Sequence, residues 1–230
     1  MRVLVAISYF NSEDYLHDAI LSILNQSFKN FEFWLFNDCS TDSSEKTAKS
    51  FKDKRIKHFK NKKNLGLTKT LNFIIKKSNH DILIRMDADD ISHKNRIENL
   101  VKVMSDDKDI GLSCSSRKIL DSNRIYNQGL PKNLRRGFAK KNWIAHPTVA
   151  LNLNILKKKK LNYNTKIKYA QDYELWCRMI LKNIKFHHIN KPLLFYRQHE
   201  NQIANKKRLN QLYYTFLIKL IFNLRLYGKN

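Results

Sequence analysis

The chain has 230 residues, 42% of them apolar, enough for one α/β domain with its own core and too apolar for a disordered chain. With only 5 glycines and 3 prolines it has no composition for a flexible linker, and its cysteines (Cys39, Cys114, Cys177) are too scattered for a disulfide framework or a thiolate zinc site, which fits a reducing compartment. The net charge of +24 reads first as compositional drift with a general preference for anionic partners, since Lys and Asn are abundant everywhere rather than along one stripe; a surface of anionic lipid headgroups comes second and nucleic acid last.

In chain order, residues 3–7 are a continuous apolar run, expected as a buried first strand and short for an export signal. Ser12 is placed to cap a helix over 13–26, with Leu16, Ala19, Ile20, Ile23 and Leu24 at helical spacing. An aromatic strand over 31–36, a polar helix over 42–51 and a strand over 56–59 follow. Then come a helix over 67–77, a strand over 82–86, a helix over 95–104 and a strand over 110–114. Strands separated by helices of this length imply right-handed crossovers and a mainly parallel sheet.

The second half is less regular. It predicts strands at 148–151, 186–189 and 193–196, and a helix over 172–181. A basic, amphipathic helix is expected from Lys206 to about Tyr227. Its broad apolar face, interrupted by Lys219, Asn223 and Arg225, is too polar to span a bilayer. That helix can lie flat on a membrane surface, pack on the domain or join a second subunit.

In parallel sheets ligands bind beyond the carboxyl ends of the strands. Polar clusters fall at three such ends, at residues 8–11, 37–42 and 87–90. Asp87, Asp89 and Asp90 offer the hard oxygen ligands that Mg2+ or Mn2+ prefers. Asp107 and Asp109 repeat the Asp-x-Asp spacing between a helix and a strand, on the opposite edge, and read as a solvated loop. Asp38 can accept a hydrogen bond from a nucleobase N–H, whereas Asp42 reads as a helix cap. Asp172 opens a helix, where the dipole stabilises a carboxylate and where a general base could also be held. His146 and His199 stand alone, and Arg197 can reach a phosphate.

Taken together, these clusters resemble glycosyltransferase family 2, an inverting family with the GT-A fold. The resemblance runs from Val3 to His199. It is carried by residues 7–16, by residues 22–32 with 37–42, by Asn64-Leu65-Gly66 with Leu71-Asn72, by Asp87-Ala88-Asp89-Asp90, and by Gln171-Asp172 with Leu175-Trp176 and Arg178. His146-Pro147-Thr148 and residues 196–199 are similar to segments of its bacterial surface-polysaccharide and lipooligosaccharide members. This chain departs from the pattern at Asn37 (an acid), Cys39 (Gly), Phe10 (Tyr) and Gln171 (an acid).

The resemblance implies a GT-A domain over 1–205, with a nucleotide-binding half to about 115 and an acceptor-binding half beyond, followed by a C-terminal helix over 206–230. It implies transfer from a nucleotide-sugar, UDP-linked by preference, to a glycan or lipid-linked hydroxyl, with Mn2+ or Mg2+. Ser8, Phe10, Asn11, Asp38, Lys69, Asp87, Arg197 and His199 would surround the donor, Asp89 and Asp90 the metal, and Asp172 would be the base. A cytoplasmic location, peripheral on the inner face of the membrane, and a homodimer through the C-terminal helix follow as expectations. A nucleotidyltransferase would need a glycine-rich phosphate loop after the first strand, and residues 8–13 contain no glycine. A non-catalytic binding protein on the same fold is the remaining alternative.

Overall fold

The computed structural model describes residues 1–127, 129–199 and 207–228. Strands β1 (Val3–Tyr9), β2 (Glu32–Asn37), β3 (Ile56–Lys60) and β4 (Ile82–Met86) lie parallel in the order β3-β2-β1-β4. Their crossovers are α1 (Leu16–Leu24), α2 (Ser44–Ser50) and α3 (Leu67–Lys77). Next in the chain come β5 (Ile91–Ser92), α4 (Arg96–Asp106), β6 (Ile110–Ile119), β7 (Ile125–Tyr126), α5 (Leu134–Phe138), β8 (Ala150–Asn152) and α6 (Leu153–Lys158). The last elements are α7 (Gln171–Leu181), β9 (Lys185–Tyr196) and α8 (Arg208–Tyr227). The full sheet reads β3-β2-β1-β4-β8-β6-β9-β5, with β7 paired to β6. Strand β8 runs antiparallel to both β4 and β6 and joins the two halves.

The period-2 alternation of the strands divides the core between the two faces of the sheet. Val3, Val5, Ile7 and Tyr9 pack on one face with α1 and α4, through Ile20, Ile23, Ile97 and Leu100. Leu4, Ala6, Trp34 and Phe36 pack on the other with α3, α6 and α7, through Leu71, Ile74, Leu156, Leu175 and Trp176. Both faces of the parallel half are covered, which is why its strands read as continuous apolar runs.

Where the elements differ from the sequence expectation, local chemistry explains it. Helix α1 begins at Leu16 rather than at 13, and Ser12 does not cap it with its side chain. The backbone N–H groups of Ser12 and Glu13 donate instead to Ser44 Oγ (2.8 Å) and Asp42 Oδ2 (3.0 Å), holding this stretch against the next loop. Pro147 sits in a short 3-10 turn, His146–Thr148, so β8 starts only at Ala150. The two strands expected at 186–189 and 193–196 are one long β9, bent by register shifts against Ser115, Ser116 and Arg117. Helices α5 and α6 are too short to show a period in sequence.

Helix α8 docks on the domain through a narrow stripe in which Ile218 and Phe222 are 3% and 2% exposed, and Asn223 Nδ2 lies 3.5 Å from Ala139 O. The expected ends of this segment at 206 and 229–230 lie outside the described residues.

Candidate active site

The carboxyl ends of β2, β1 and β4 are adjacent in the sheet, so the loops that follow them meet along one edge. Near the end of β1 Ser8 is half-buried, and just beyond it Phe10 is 46% exposed at the rim and Asn11 adopts a left-handed φ of 48°. Asn11 Oδ1 accepts from the Thr41 N–H (2.9 Å), and the Asn11 N–H donates to Ser40 Oγ (3.1 Å). The loops after β1 and β2 are therefore laced together.

Asp38, 3% exposed, accepts from Asn61 Nδ2 and the Leu65 N–H through Oδ1 and from the Gly66 N–H through Oδ2, each at 2.8 Å. These bonds fold the 61–66 loop over the end of β2. They require Gly66 at φ 81°, where a side chain would be strained. Three of the roughly four acceptor positions of the carboxylate are thus filled by the protein itself. Lys69 is exposed in the first turn of α3, just beyond this loop.

Cys39, where the family pattern has glycine, keeps the glycine conformation at φ 67°. A non-glycine residue there costs about 1–2 kcal/mol, partly offset by the unfolded-state entropy that glycine adds. Cys39→Gly should therefore stabilise the fold by about 0.5 kcal/mol, read as a higher urea midpoint at unchanged slope.

After β4, ligand oxygens of Asp87, Asp89 and Asp90 all lie within 4.8 Å of one another. Two buried guanidiniums lie behind them. Arg85, 2% exposed, pairs with both oxygens of Asp87. Arg96, fully buried, donates through Nη2 to the Arg85 and Pro147 carbonyls at 2.8 and 2.7 Å. Burial pulls Arg96 down to about 9, although Asp90 opposes this.

Burial, and then the charges of Asp87 and Asp89, hold the Asp90 carboxyl well above the usual carboxylate range. Burial also raises Asp87, against the pull of Arg85. Three carboxylates thus face two cations, and Asp90 Oδ2 is buried without a hydrogen-bond partner. An oxygen-only donor set with an orphaned buried carboxylate oxygen fits a divalent cation such as Mg2+ or Mn2+.

Strand β9 closes the cluster. The Arg197 N–H donates to Asp90 Oδ1 (3.1 Å), Arg197 Nε donates to the Asp89 carbonyl (2.9 Å), and His199 Nε2 lies 2.9 Å from Asp89 Oδ2. The rings of His199 and Tyr15 are 4.7 Å apart, and Arg197 lies over the same tyrosine. Arg197 and His199, both singled out in the sequence and both just beyond the end of β9, therefore sit on the carboxylate cluster.

Asp172 is presented by α7 immediately after Ala170, which is left-handed at φ 54°. Asn142 Nδ2 donates to Asp172 Oδ2 (3.0 Å), and burial raises the carboxyl above its ordinary range. The Arg85 guanidinium acts on Asp172 as well as on Asp87, so the base candidate and the carboxylate cluster share one buried cation. His146 Nε2 lies 2.8 Å from Tyr163 Oη, and burial, with Arg85 adding to it, keeps this imidazole neutral. Tyr163 is in turn gripped by Asn72 through its backbone N–H and carbonyl, each at 2.8 Å.

The sequence reading did not single out Arg85, Arg96, Asn142 or Tyr163. The one signal available was a charged residue inside the apolar run Ile82-Leu83-Ile84-Arg85-Met86, since a buried Arg is rare without a partner. Asp107, read as a solvated loop residue, pairs with Lys185 at the surface.

Several known proteins resemble this chain in sequence or in fold. An uncharacterized glycosyltransferase of Methanocaldococcus jannaschii is 34% identical over 92% of this chain and 76% of its own length. An uncharacterized glycosyltransferase of Haemophilus influenzae is 30% identical, over 92% and 74%.

Among solved structures, Staphylococcus aureus TarS 1–349 in complex with UDP superposes with a TM-score of 0.74 at 18% identity, covering 97% of this chain and 66% of that one. The mannosyltransferase PcManGT of Pyrobaculum calidifontis, in complex with GDP-Man and Mn2+, gives 0.73 at 15% identity, covering 95% and 64%. At such identities the likeness is one of fold, the GT-A arrangement of a mixed sheet with flanking helices. Residues 4–169 match the family model "Glycosyl transferase family 2", and with relatives of this similarity the chain belongs to glycosyl transferase family 2.

Proposed function

We propose that this chain transfers a single sugar from a nucleoside-diphosphate sugar, a UDP-sugar by preference, to a hydroxyl of a glycan or lipid-linked acceptor in cell-surface polysaccharide synthesis. The observation that carries this reading is the cluster Asp87, Asp89 and Asp90, bonded to Arg85 through Asp87, together with the half-buried Asp172, whose carboxyl the same guanidinium draws down. The donor would lie along the strand ends, its base between Phe10 and the loop held by Asp38, whose Oδ2 keeps one acceptor position for a base N–H. Ser8, Asn11 and Lys69 line the same edge. Arg197 and His199 hold Asp89 and Asp90 in place, and the Arg197 guanidinium would supply positive charge beside the diphosphate.

Asp89 and Asp90, with Asp87, would hold Mn2+ or Mg2+. When bound, such an ion neutralises charge on the departing nucleoside diphosphate. Asp172 takes the proton of the acceptor hydroxyl as that oxygen bonds to the anomeric carbon. The bond from that carbon to the phosphate oxygen breaks, and its electron pair leaves with the diphosphate. Attack opposite the leaving group inverts the centre. A carboxyl raised by burial is the stronger base once ionised, which suits this task.

The preference for UDP rests on the UDP and UDP-GlcNAc complexes of TarS, with the GDP-Man complex of PcManGT as the competing precedent. Donor hydrolysis across a panel of nucleotide-sugars with Mn2+ tests the reading. One UDP-sugar is expected to be turned over, with turnover lost in EDTA. Hydrolysis of none of the panel, or activity indifferent to EDTA, contradicts it.

Helix α8 supports a peripheral position on an anionic membrane, the inner face of the cell membrane in the cytoplasm. Among the described residues no helix is long and apolar enough to cross a bilayer. Yet Leu209, Phe216, Leu220 and Tyr227 are 82%, 63%, 47% and 64% exposed. At about 100° per residue they lie opposite the docked Ile218. Residues 207–228 carry Lys207, Arg208, Lys219 and Arg225 and no acid. By the same spacing Arg208 and Lys219 flank this apolar face, and an apolar face with cations and no acid beside it complements anionic headgroups. The protein should sediment with vesicles containing phosphatidylglycerol and be released by Phe216→Glu/Leu220→Glu. Equal recovery with purely zwitterionic vesicles, or a dimer dissociated by the same substitutions, contradicts the membrane assignment.

A further inference from the structure

Beside the crevice lies a second concavity of about 140 Å3, bounded by β6, β7 and the 142–145 loop. Its walls include Ser115, Arg117, Tyr126, Asn142, Trp143 and His188. Two of its contacts tie it to the site already described. Asn142, in its wall, donates to Asp172 Oδ2 at 3.0 Å. Tyr196, whose ring centre is 4.7 Å from Arg117 Cζ, directly precedes the Arg197 that binds Asp90. The concavity therefore touches the base candidate on one side and the backing of the carboxylate cluster on the other.

Arg117 is its unusual member. The guanidinium lies between the rings of Tyr126, at 5.1 Å, and Tyr196, at 4.7 Å. Those rings attract a cation through their faces but accept none of its hydrogen bonds in the way an oxygen would. Arg117 Nε is buried with no acceptor, and among the described residues no hydrogen bond or ion pair satisfies this side chain. A charged donor left unsatisfied in a partly buried wall is costly, and its planar fork matches a phosphate or carboxylate. Nearby, Lys141 Nζ stands 4.0 Å over the Trp143 ring, adding positive charge and covering one face on which a neutral sugar would stack. The volume is below the several hundred Å3 of a drug-sized site, about right for one terminal group.

We propose that this concavity is the acceptor subsite, and that Arg117 selects an acceptor carrying an oxyanion, phosphate or carboxylate, close to the hydroxyl that Asp172 deprotonates. The inference rests on the glycosyl-transfer reading above and adds the chemical class of the acceptor.

Calorimetry at about 0.15 M salt, where long-range attraction to this basic protein is screened, separates the possibilities. Glucose 6-phosphate, glucuronate and glucose are titrated into the full chain holding UDP and Mn2+. At least one anionic sugar should bind, and which of the two does so identifies the anion; glucose should bind at least about tenfold more weakly. Arg117→Met should weaken the anionic sugar about tenfold, and Arg117→Lys should retain part of the binding. UDP binding should be equal in all three proteins, which also reports that they are folded. Glucose binding as tightly as its phosphate, no binding of either anionic sugar, or an unchanged titration in Arg117→Met overturns the inference. Loss of UDP binding by the wild-type protein would instead contradict the glycosyl-transfer reading, and the comparison of glucose with its phosphate would still decide the anion preference.

Discussion

Asp172→Asn is expected to lower the turnover number for sugar transfer by about 10³-fold, within the range that a positioned general base supplies, while leaving Mn2+-dependent UDP binding unchanged. The substitution keeps shape and removes only the group that can take the acceptor proton. Burial raises the Asp172 carboxyl in the folded protein, so folding favours its protonated form. Any stabilisation from this group is full below the unfolded-state value of about 3.9 and is lost as pH rises through the raised folded value. At pH 7 the ionised, half-buried carboxylate is therefore a liability to the fold, and Asp172→Asn should be at least as stable as wild type.

Activity has the opposite dependence. It needs the ionised form and should fall as pH drops through the raised value, giving an acidic limb above that of an ordinary carboxylate. Single-turnover kinetics with urea unfolding of the same samples checks both halves. An inactive variant that is also unstable would indicate a structural role, and an active one would move the base elsewhere.

Arg85→Met is expected to destabilise the protein by about 3 kcal/mol, near the lower end for removing one partner of a buried ion pair, because Asp87 keeps some contact with solvent. In a chain of this size that is a fall of roughly 6–12 °C in Tm. The reason lies in the charge balance. Asp87, Asp89 and Asp90 crowd together against Arg85 and Arg96, and Asp87 is bonded directly to Arg85. With that guanidinium gone, Asp87 loses its bonded partner, while Arg96 and Arg197 still face the cluster. Asp87→Asn should recover part of the loss when combined with Arg85→Met, since removing both charges avoids an uncompensated carboxylate. Mn2+ should raise the stability of Arg85→Met as well as that of wild type, because a ligand that binds only the folded state adds stability that grows with the logarithm of its free concentration over its Kd. A change below about 1 kcal/mol in urea unfolding would mean that Arg85 does not hold the cluster together, a cost no larger than that of an exposed pair.

The parallel half of the fold was legible because its strands are continuous apolar runs and its helices show a 3.6-residue period. The helix over 67–77 and the strand over 82–86 match α3 and β4 residue for residue. The meeting of the loops after β1, β2 and β4 was legible because polar clusters break those runs at the carboxyl edge of neighbouring strands.

What escaped was set by contacts between segments far apart in the chain. The start of α1 is fixed by Ser44 and Asp42 of another loop. The role of Asp38 as the anchor of the 61–66 loop depends on donors from Asn61, Leu65 and Gly66. Arg85 and Asn142 matter through what they touch, and neither carries a spacing that announces it. Arg117 reads in sequence as one more cation in a basic chain. Its position between Tyr126 and Tyr196 comes from pairing of β6 with β7 and β9.

The central claim is that the Asp87, Asp89 and Asp90 cluster and Asp172 face one bound donor. A crystal structure of the Asp172→Asn protein with Mn2+ and an intact UDP-sugar tests it most directly. The expected result is an anomalous Mn2+ peak within coordination distance of Asp89 or Asp90, with the diphosphate against the cluster and the anomeric carbon on the side facing residue 172. A diphosphate bound away from the cluster, or a sugar pointing away from α7, would contradict it.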